Sequence, residues 1–217
     1  MFYIIAFVFG SIWGSFANVC IYRLPANKNV ATGRSCCPNC NNLIKWYDNI
    51  PIISFLFLKG VCRNCSKKIN TQYLLVELIS GFSFAICYYF FGISITTLLF
   101  FILTICFVII FFIDLKHFII PNELTVTLMV IGIIKSIDPD LNNEIFPNFI
   151  NSVLGGVIGY MLIWLIILFY KKLRNKEGMG LGDAKLLSAI GFWFGWVSFP
   201  FILFFSSFIA LVSVLPD

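Results

Sequence analysis

Apolar stretches at residues 2–22, 74–93, 96–113, 122–137, 149–170, 184–196 and 198–215 take up most of the chain and decide what it can become. Most are long enough, as helices, to cross the roughly 30 Å hydrocarbon core of a bilayer. Those at 122–137 and 184–196 are short for a full crossing; they require little tilt, extension into flanking residues, or a partly re-entrant course. With 60% hydrophobic and only 12% charged residues, the chain departs far from the roughly 45–50% apolar and about 25% charged of soluble domains. A soluble fold of 217 residues has too little interior to hide so much apolar side chain. A soluble globular domain, a disordered chain and a disulfide-stapled secreted domain are therefore excluded. The first stretch is too long and aromatic for a cleaved signal peptide and has no basic residues before it, so it counts as structure. The expected fold class is an all-α polytopic membrane protein, with about seven transmembrane helices and the lipid bilayer as its surroundings.

Charge sets the sidedness. Between the first and second stretches lie Arg23, Lys28, Arg34, Lys45, Lys59, Arg63, Lys67 and Lys68, against one acid, Asp48. Lys116 and His117 follow the third stretch, and Lys171, Lys172, Arg174 and Lys176 follow the fifth. The segment after the fourth holds Asp138, Asp140 and Glu144 and no Lys or Arg. With the N-terminus outside and the stretches alternating, every basic cluster falls on the cytoplasmic side of the membrane. The net charge of +5 is then positive-inside bias, and no nucleic-acid partner is needed to explain it. The expected division is a first transmembrane helix over 1–22, a cytoplasmic loop over 23–73 and a transmembrane core over 74–217. Gly10/Gly14, Gly155/Gly159 and Gly191/Gly195 are glycines four apart, a spacing that lets helix backbones approach. Packing inside one bundle is favoured over dimerisation. No internal repeat and no low-complexity tract is evident.

Of the eight cysteines, Cys20, Cys87 and Cys106 lie in apolar stretches, where thiols behave as small apolar residues. Cys37-Pro38-Asn39-Cys40 and Cys62-Arg63-Asn64-Cys65 are C-x2-C pairs in the basic loop. Two such pairs can close a tetrahedral thiolate site for zinc or, less often, iron, with no open position and hence a structural role. The alternatives are two disulfides, disfavoured in a reducing cytoplasm, or unliganded thiols. Cys36 is expected outside the ligand shell. So short a loop cannot bury much core, and a metal would supply the missing folding energy.

Among the ten acids, Asp138, Asp140 and Glu144 solvate an external loop and Asp217 ends the chain. Asp114 closes the apolar run Phe111-Phe112-Ile113, and Asp183 follows Gly178-Met179-Gly180-Leu181-Gly182. Both are expected at the cytoplasmic membrane boundary, where a carboxylate against hydrocarbon is expensive and suggests function. The plain alternatives are an N-cap for Asp183 and an interfacial acid for Asp114. Of two close carboxylates one keeps its proton. The ionised member takes a proton from water and the protonated one polarises a peptide carbonyl. Gly180 and Gly182 would let backbone approach a substrate strand. His117 is the only histidine, no HExxH or Walker loop exists, and the Gly-x-Gly-x-Gly run follows no strand, so a dinucleotide reading is weak.

The chain resembles the bacterial type IV prepilin peptidases, GxGD membrane aspartic proteases. The matching segments are Gly14-Ser15-Phe16-Ala17-Asn18-Val19, Tyr22-Arg23-Leu24-Pro25, the two cysteine pairs, Asp48-Asn49-Ile50-Pro51 and Leu75-Val76-Glu77-Leu78. Phe112-Ile113-Asp114-Leu115, Pro121-Asn122-Glu123-Leu124-Thr125 and Gly178 through Leu186 follow in the family's order. The resemblance implies that a prepilin or pseudopilin substrate with a short basic leader is cleaved on the cytoplasmic side, usually between Gly and Phe, with Asp114 and Asp183 catalytic. It also implies, given the cysteine loop, N-methylation of the new amino terminus from S-adenosylmethionine, at a site left unassigned. Asp48 and Glu77 are open between contact with leader or methyl donor and structural hydrogen bonding. Leader and loop are both basic, so docking of the pilin's apolar helix is the expected main source of affinity. Relatives usually continue through a further hydrophobic segment beyond Asp217. The alternatives are a GxGD protease of other clientele, a proton-moving transporter, and a non-catalytic scaffold whose zinc loop binds assembly partners.

Overall fold

The computed structural model describes residues 2–141, 145–174 and 180–214, with the side chains of 210 and 212–214 left aside. Glu144, Lys176, Gly178, Met179, Leu215, Pro216 and Asp217 lie outside the described residues. The described chain is helical: α1 Phe2–Arg23, the short α2 Ile53–Phe57, α3 Gln72–Phe91, α4 Ile95–His117, α5 Asn122–Ile137, α6 Phe149–Arg174, α7 Leu181–Phe194 and α8 Phe199–Val214. Each expected apolar stretch is thus a helix. Among the described residues four of them, α1, α3, α4 and α6, have the length and composition to cross a membrane. At 16 residues α5 is about 24 Å long. The 14-residue α7 is bent 115° from the helical segment Trp196–Ile209, at Gly195, whose φ of 74° suits glycine.

By packing, the chain divides into residues Met1–Ile119 and Ile120–Asp217. In the first unit α1 lies against α3. A Cβ on Gly10 would meet the Ser80 carbonyl oxygen at 2.6 Å, and one on Gly14 the Glu77 Cα at 2.8 Å. Gly81 faces Ser11 in the same way. Without side chains at these points the two backbones close up, and dispersion contacts hold them where lipid offers no hydrophobic drive. Phe84 of α3 stacks on Phe101 of α4, with ring centroids 3.9 Å apart. Ser94 caps α4 by accepting the Thr97 N–H at 3.1 Å.

In the second unit α6 and α7 meet through Gly155 and Gly191, each of which blocks a Cβ on the other. Ser152 Oγ donates to the Phe192 carbonyl at 2.6 Å and Ser188 Oγ to the Gly156 carbonyl at 2.8 Å. Trp193 Nε1 donates to the Leu128 carbonyl at 2.8 Å, tying α7 to α5. Phe199, at the start of α8, packs with Ile163, Ala184 and Leu187. The glycine pairs therefore serve packing within the chain.

Between α1 and α3 runs the cysteine loop, and it holds a short repeat that the sequence did not announce. Residues 35–44 and 60–69 fold alike when 37 is laid on 62. Cys37 N–H donates to the Asn42 carbonyl, Asn41 N–H to Cys37 and Ile44 N–H to Ser35. The counterparts are Cys62 to Lys67, Ser66 to Cys62 and Ile69 to Gly60. Asn41 and Ser66 have matching φ values of 56° and 55°. The two segments share only the cysteines, the asparagine before the second of them and the final isoleucine.

Candidate functional site

The two turns carry Cys37, Cys40, Cys62 and Cys65 to one point, with all four sulfurs within 4.8 Å of one another. Cys37 Sγ and Cys65 Sγ are 3.9 Å apart. A tetrahedron of zinc–sulfur bonds has an edge of about 3.8 Å, so the separation is that of ligands around one ion. All four are free thiols, against the disulfide alternative. Backbone N–H groups of Cys65 and Asn64 aimed at Cys62 pull that thiol down to about 7. At Cys40 the Asn42 N–H pulls downward too, and desolvation together with the neighbouring thiols outweighs it, leaving Cys40 up at about 11. The cluster could hold zinc by geometry and by donor type. Cys36 is exposed and stands outside it.

Two acids fasten this loop. Arg63, inside the second turn, grips Asp48 through Nη2 to Oδ1 at 2.6 Å and Nε to Oδ2 at 2.9 Å. The guanidinium holds the Asp48 carboxyl below its usual value. Glu77, 8% exposed on α3, accepts the Ile52 N–H at 2.7 Å and the Ser15 hydroxyl of α1. Both acids thus have structural partners. Arg23 closes the loop's first part, donating to the carbonyls of Asn29 at 3.1 Å, Thr32 at 2.6 Å and Gly33 at 3.0 Å.

Asp114 and Asp183 belong to different units, and each is described in its own. Asp114 is exposed one turn before the end of α4, with Phe112 and Ile113 buried behind it. Its carbonyl accepts the N–H of Phe118, the left-handed residue that ends the helix. The helix therefore runs past Asp114 to His117 rather than stopping at Ile113. Asp183 is half-buried in the first turn of α7. The N-cap is Gly180, which corrects the N-cap alternative for Asp183; an acid in that first turn still suits the helix dipole. The start of α7 is fixed by Lys185 Nζ donating to Asn122 Oδ1 at 2.6 Å and by Gly182, where a Cβ would lie 3.1 Å from Ile120 Cβ.

Two features escaped the sequence reading. A pocket of about 300 Å³ in the first unit is lined by Asn18, Tyr22, Lys28, Gln72, Lys116 and His117, among others, including Tyr73. Gln72 Oε1 is buried there without a hydrogen-bond partner. In the second unit Lys135 of α5 is 3% exposed, its Nζ 4.3 Å from the Phe146 ring centroid and 5.7 Å from that of Trp193. A lysine inside a short apolar helix is the one signal that marked it.

Comparison with known proteins gives two family matches. The bacterial peptidase A24 N-terminal domain matches residues 8–91, and the type IV leader peptidase family matches residues 98–215, a stretch that holds both Asp114 and Asp183. A prepilin leader peptidase/N-methyltransferase of Neisseria gonorrhoeae is 36% identical over 97% of this chain and 80% of its own length. Proteins of the same name from Aeromonas salmonicida and Klebsiella pneumoniae are 33% and 35% identical, over 98% and 93% of this chain and 80% and 89% of theirs. No solved structure matches.

Proposed function

The chain belongs to the type IV leader peptidase family, and from that premise we propose that it removes the basic leader from type IV prepilins or type II secretion pseudopilins and N-methylates the new amino terminus. The observation that carries this reading is the family match over 98–215, which contains the two acids already singled out by their cost at a membrane boundary. The protein is a multi-pass inner-membrane enzyme. Its N-terminus lies outside, and the cysteine loop, Asp114 and Asp183 face the cytoplasm; the basic clusters on alternate connections support this.

Asp114 and Asp183 are the catalytic pair. One carboxylate takes a proton from water as the water oxygen attacks the scissile carbonyl carbon. The other, protonated, donates to the carbonyl oxygen, and the carboxyl that took the water proton passes it to the departing amine as the C–N bond breaks. Gly180, where a Cβ would meet among the described residues only the Gly182 nitrogen at 3.8 Å, leaves room beside Asp183 for the substrate backbone, whereas Gly182 is packed against Ile120. Functionally the chain divides into the helix 1–22, a zinc-bound loop over 23–73 and a peptidase core over 74–217. Zinc on Cys37, Cys40, Cys62 and Cys65 supplies the loop's folding energy and takes no part in cleavage.

S-adenosylmethionine supplies the methyl group when bound. The pocket of the first unit suits it: Gln72 Oε1 is an acceptor waiting for an amine donor. Lys28 and Lys116 offer charge to a carboxylate, and Tyr22 and Tyr73 are aromatic members of the same lining. The scaffold alternative has no observation in its favour. The test is cleavage of a purified prepilin in detergent by wild type, Asp114→Asn and Asp183→Asn, with product mass read by spectrometry. Cleavage by wild type alone is expected; equal cleavage by all three would reject the aspartyl mechanism.

A further inference from the structure

We propose that residues 50–58 of the cysteine loop are embedded in the cytoplasmic leaflet of the bilayer, at headgroup depth, so that the loop lies on the membrane instead of projecting from it. The depth comes from Glu77. It sits five residues beyond Gln72, the first residue of α3, which is about 8 Å along the helix axis. Ser15, the other donor to its carboxyl, is eight residues before the end of α1, about 12 Å along that helix. Side chains lean toward a helix N-terminus, which for α3 is the cytoplasmic end, and this returns part of the distance. The Ile52 N–H that Glu77 holds at 2.7 Å therefore lies beside the ends of two membrane-crossing helices, not beyond them.

Backbone at that depth must satisfy its polar groups largely without water, and several N–H groups of this segment are paired within it. Ser54 N–H donates to Ile50, Leu56 N–H to Ile52, Leu58 N–H to Ser54 and Gly60 N–H to Phe55. The Ser54 hydroxyl turns back onto the Ile50 carbonyl at 2.6 Å. The Ile52 N–H is left over by the short helix that follows, and Glu77 takes it. A loop in water has no need of a buried carboxylate for that purpose.

The outward side chains are the reverse of what a soluble loop shows. Phe57 is 83% exposed, Trp46 78%, Leu56 63% and Ile53 52%. On α1 and α3, Phe16, Leu75 and Ile79 are exposed as well. Lys45 and Lys59 bracket the segment, placed for lipid phosphates, and a tryptophan with flanking lysines is interfacial composition. The chemistry that covers this face is acyl chain at Ile53, Leu56 and Phe57 and anionic headgroup at the two lysines.

The test uses the full chain in lipid nanodiscs. Phe57→Trp adds one indole, and its emission is obtained by subtracting the spectrum of the wild-type protein. Circular dichroism and gel filtration establish that the variant is folded as wild type. The expected result is a blue-shifted added emission that acrylamide barely quenches. Lipids brominated near the headgroup should remove most of it, and lipids brominated at the chain ends should remove less. Emission at the wavelength of indole in water, with strong acrylamide quenching, would place the segment in the cytoplasm and overturn the proposal. Shielding from both acrylamide and bromine would mean that protein, such as a second copy, covers the face, and would overturn it equally. Neither readout depends on peptidase or methyltransferase activity.

Discussion

Glu77 is the residue whose replacement separates a structural role from a catalytic one most cleanly. Its carboxylate accepts one backbone and one hydroxyl hydrogen bond, from Ile52 and Ser15. Ile52 has φ of 62°, which costs a β-branched residue about 1–3 kcal/mol; the conformation persists because neighbours hold it. A hydrogen bond to a charged acceptor contributes about 1.5–3 kcal/mol. In Glu77→Leu the Ile52 N–H loses that partner, and local opening of the segment should rise roughly 10- to 150-fold at tenfold per 1.4 kcal/mol. Glu77→Gln keeps an acceptor without the charge and should lie near the bottom of that range. Hydrogen exchange with mass spectrometry, on the whole protein in nanodiscs, reads this from peptides covering residues 50–58. Peptides from α6 and α7 should exchange as in wild type. Unchanged exchange at Ile52 in Glu77→Leu would refute the reasoning. So would equal acceleration throughout the chain, since that is global unfolding and not release of a held segment.

Other outcomes follow from the same geometry. Zinc measured per chain should be lost in Cys62→Ser and retained in Cys36→Ser, because only the first is among the four converging sulfurs. Metal binding needs thiolates, so dialysis at descending pH should strip the ion as protons compete for the four sulfurs. Arg63 holds Asp48 below its ordinary value, so the pair's contribution is present above about pH 4 and fades as pH falls through the depressed value. Arg63→Ala should change loop stability little, because the guanidinium is exposed and its pairing is screened by solvent. Gly191→Val places a side chain against Gly155 backbone and should cost more than the about 1–3 kcal/mol of ordinary overpacking, read as loss of folded protein in detergent. Photolabelling with radiolabelled S-adenosylmethionine should map to peptides carrying Tyr22 or Tyr73 and weaken in Gln72→Leu, with leader cleavage retained. Shortening the pilin's apolar segment should impair processing more than removing leader charges, since leader and loop carry the same sign; the reverse order rejects apolar docking.

The helices were legible because a membrane crossing must be a continuous apolar run, and the metal cluster because thiol spacing within a turn is fixed by coordination geometry. Helix ends were read less well. Charge at Asp114 looked like an ending, yet a helix passes through the interface freely, and α4 stops only at the left-handed Phe118. The apolar stretch was read from residue 184, yet α7 begins at Leu181 and includes Gly182, where Ile120 packs too close for a larger side chain. The partner of Glu77 was out of reach, since Ile52 meets it through tertiary packing alone. The repeat within the loop is carried by backbone hydrogen bonds that sequence does not encode position by position.

The shorter of the two helices between two basic clusters bears on how the chain threads the membrane. Lys116 and His117 end α4, while Lys171, Lys172 and Arg174 end α6. If both clusters lie in the cytoplasm, as the positive-inside rule requires, the number of crossings between them is even. At 26 residues α6 is about 39 Å long and crosses. Then α5, at 16 residues and about 24 Å, must cross as well, despite falling short of a roughly 30 Å core. Local thinning of the bilayer accommodates that mismatch at a modest cost. Among the described residues, the charges between α5 and α6 are Asp138 and Asp140, which do not oppose an outside location. Reporter fusions made after residues 117, 140 and 174 check this. A phosphatase that works only outside should be active after 140 and silent after 117 and 174. Silence after 140 with activity after 174 would mean that α5 folds back on the cytoplasmic side. The start of α7, with Asp183, would then face outward, and the assignment of both aspartates to one membrane face would fall with it.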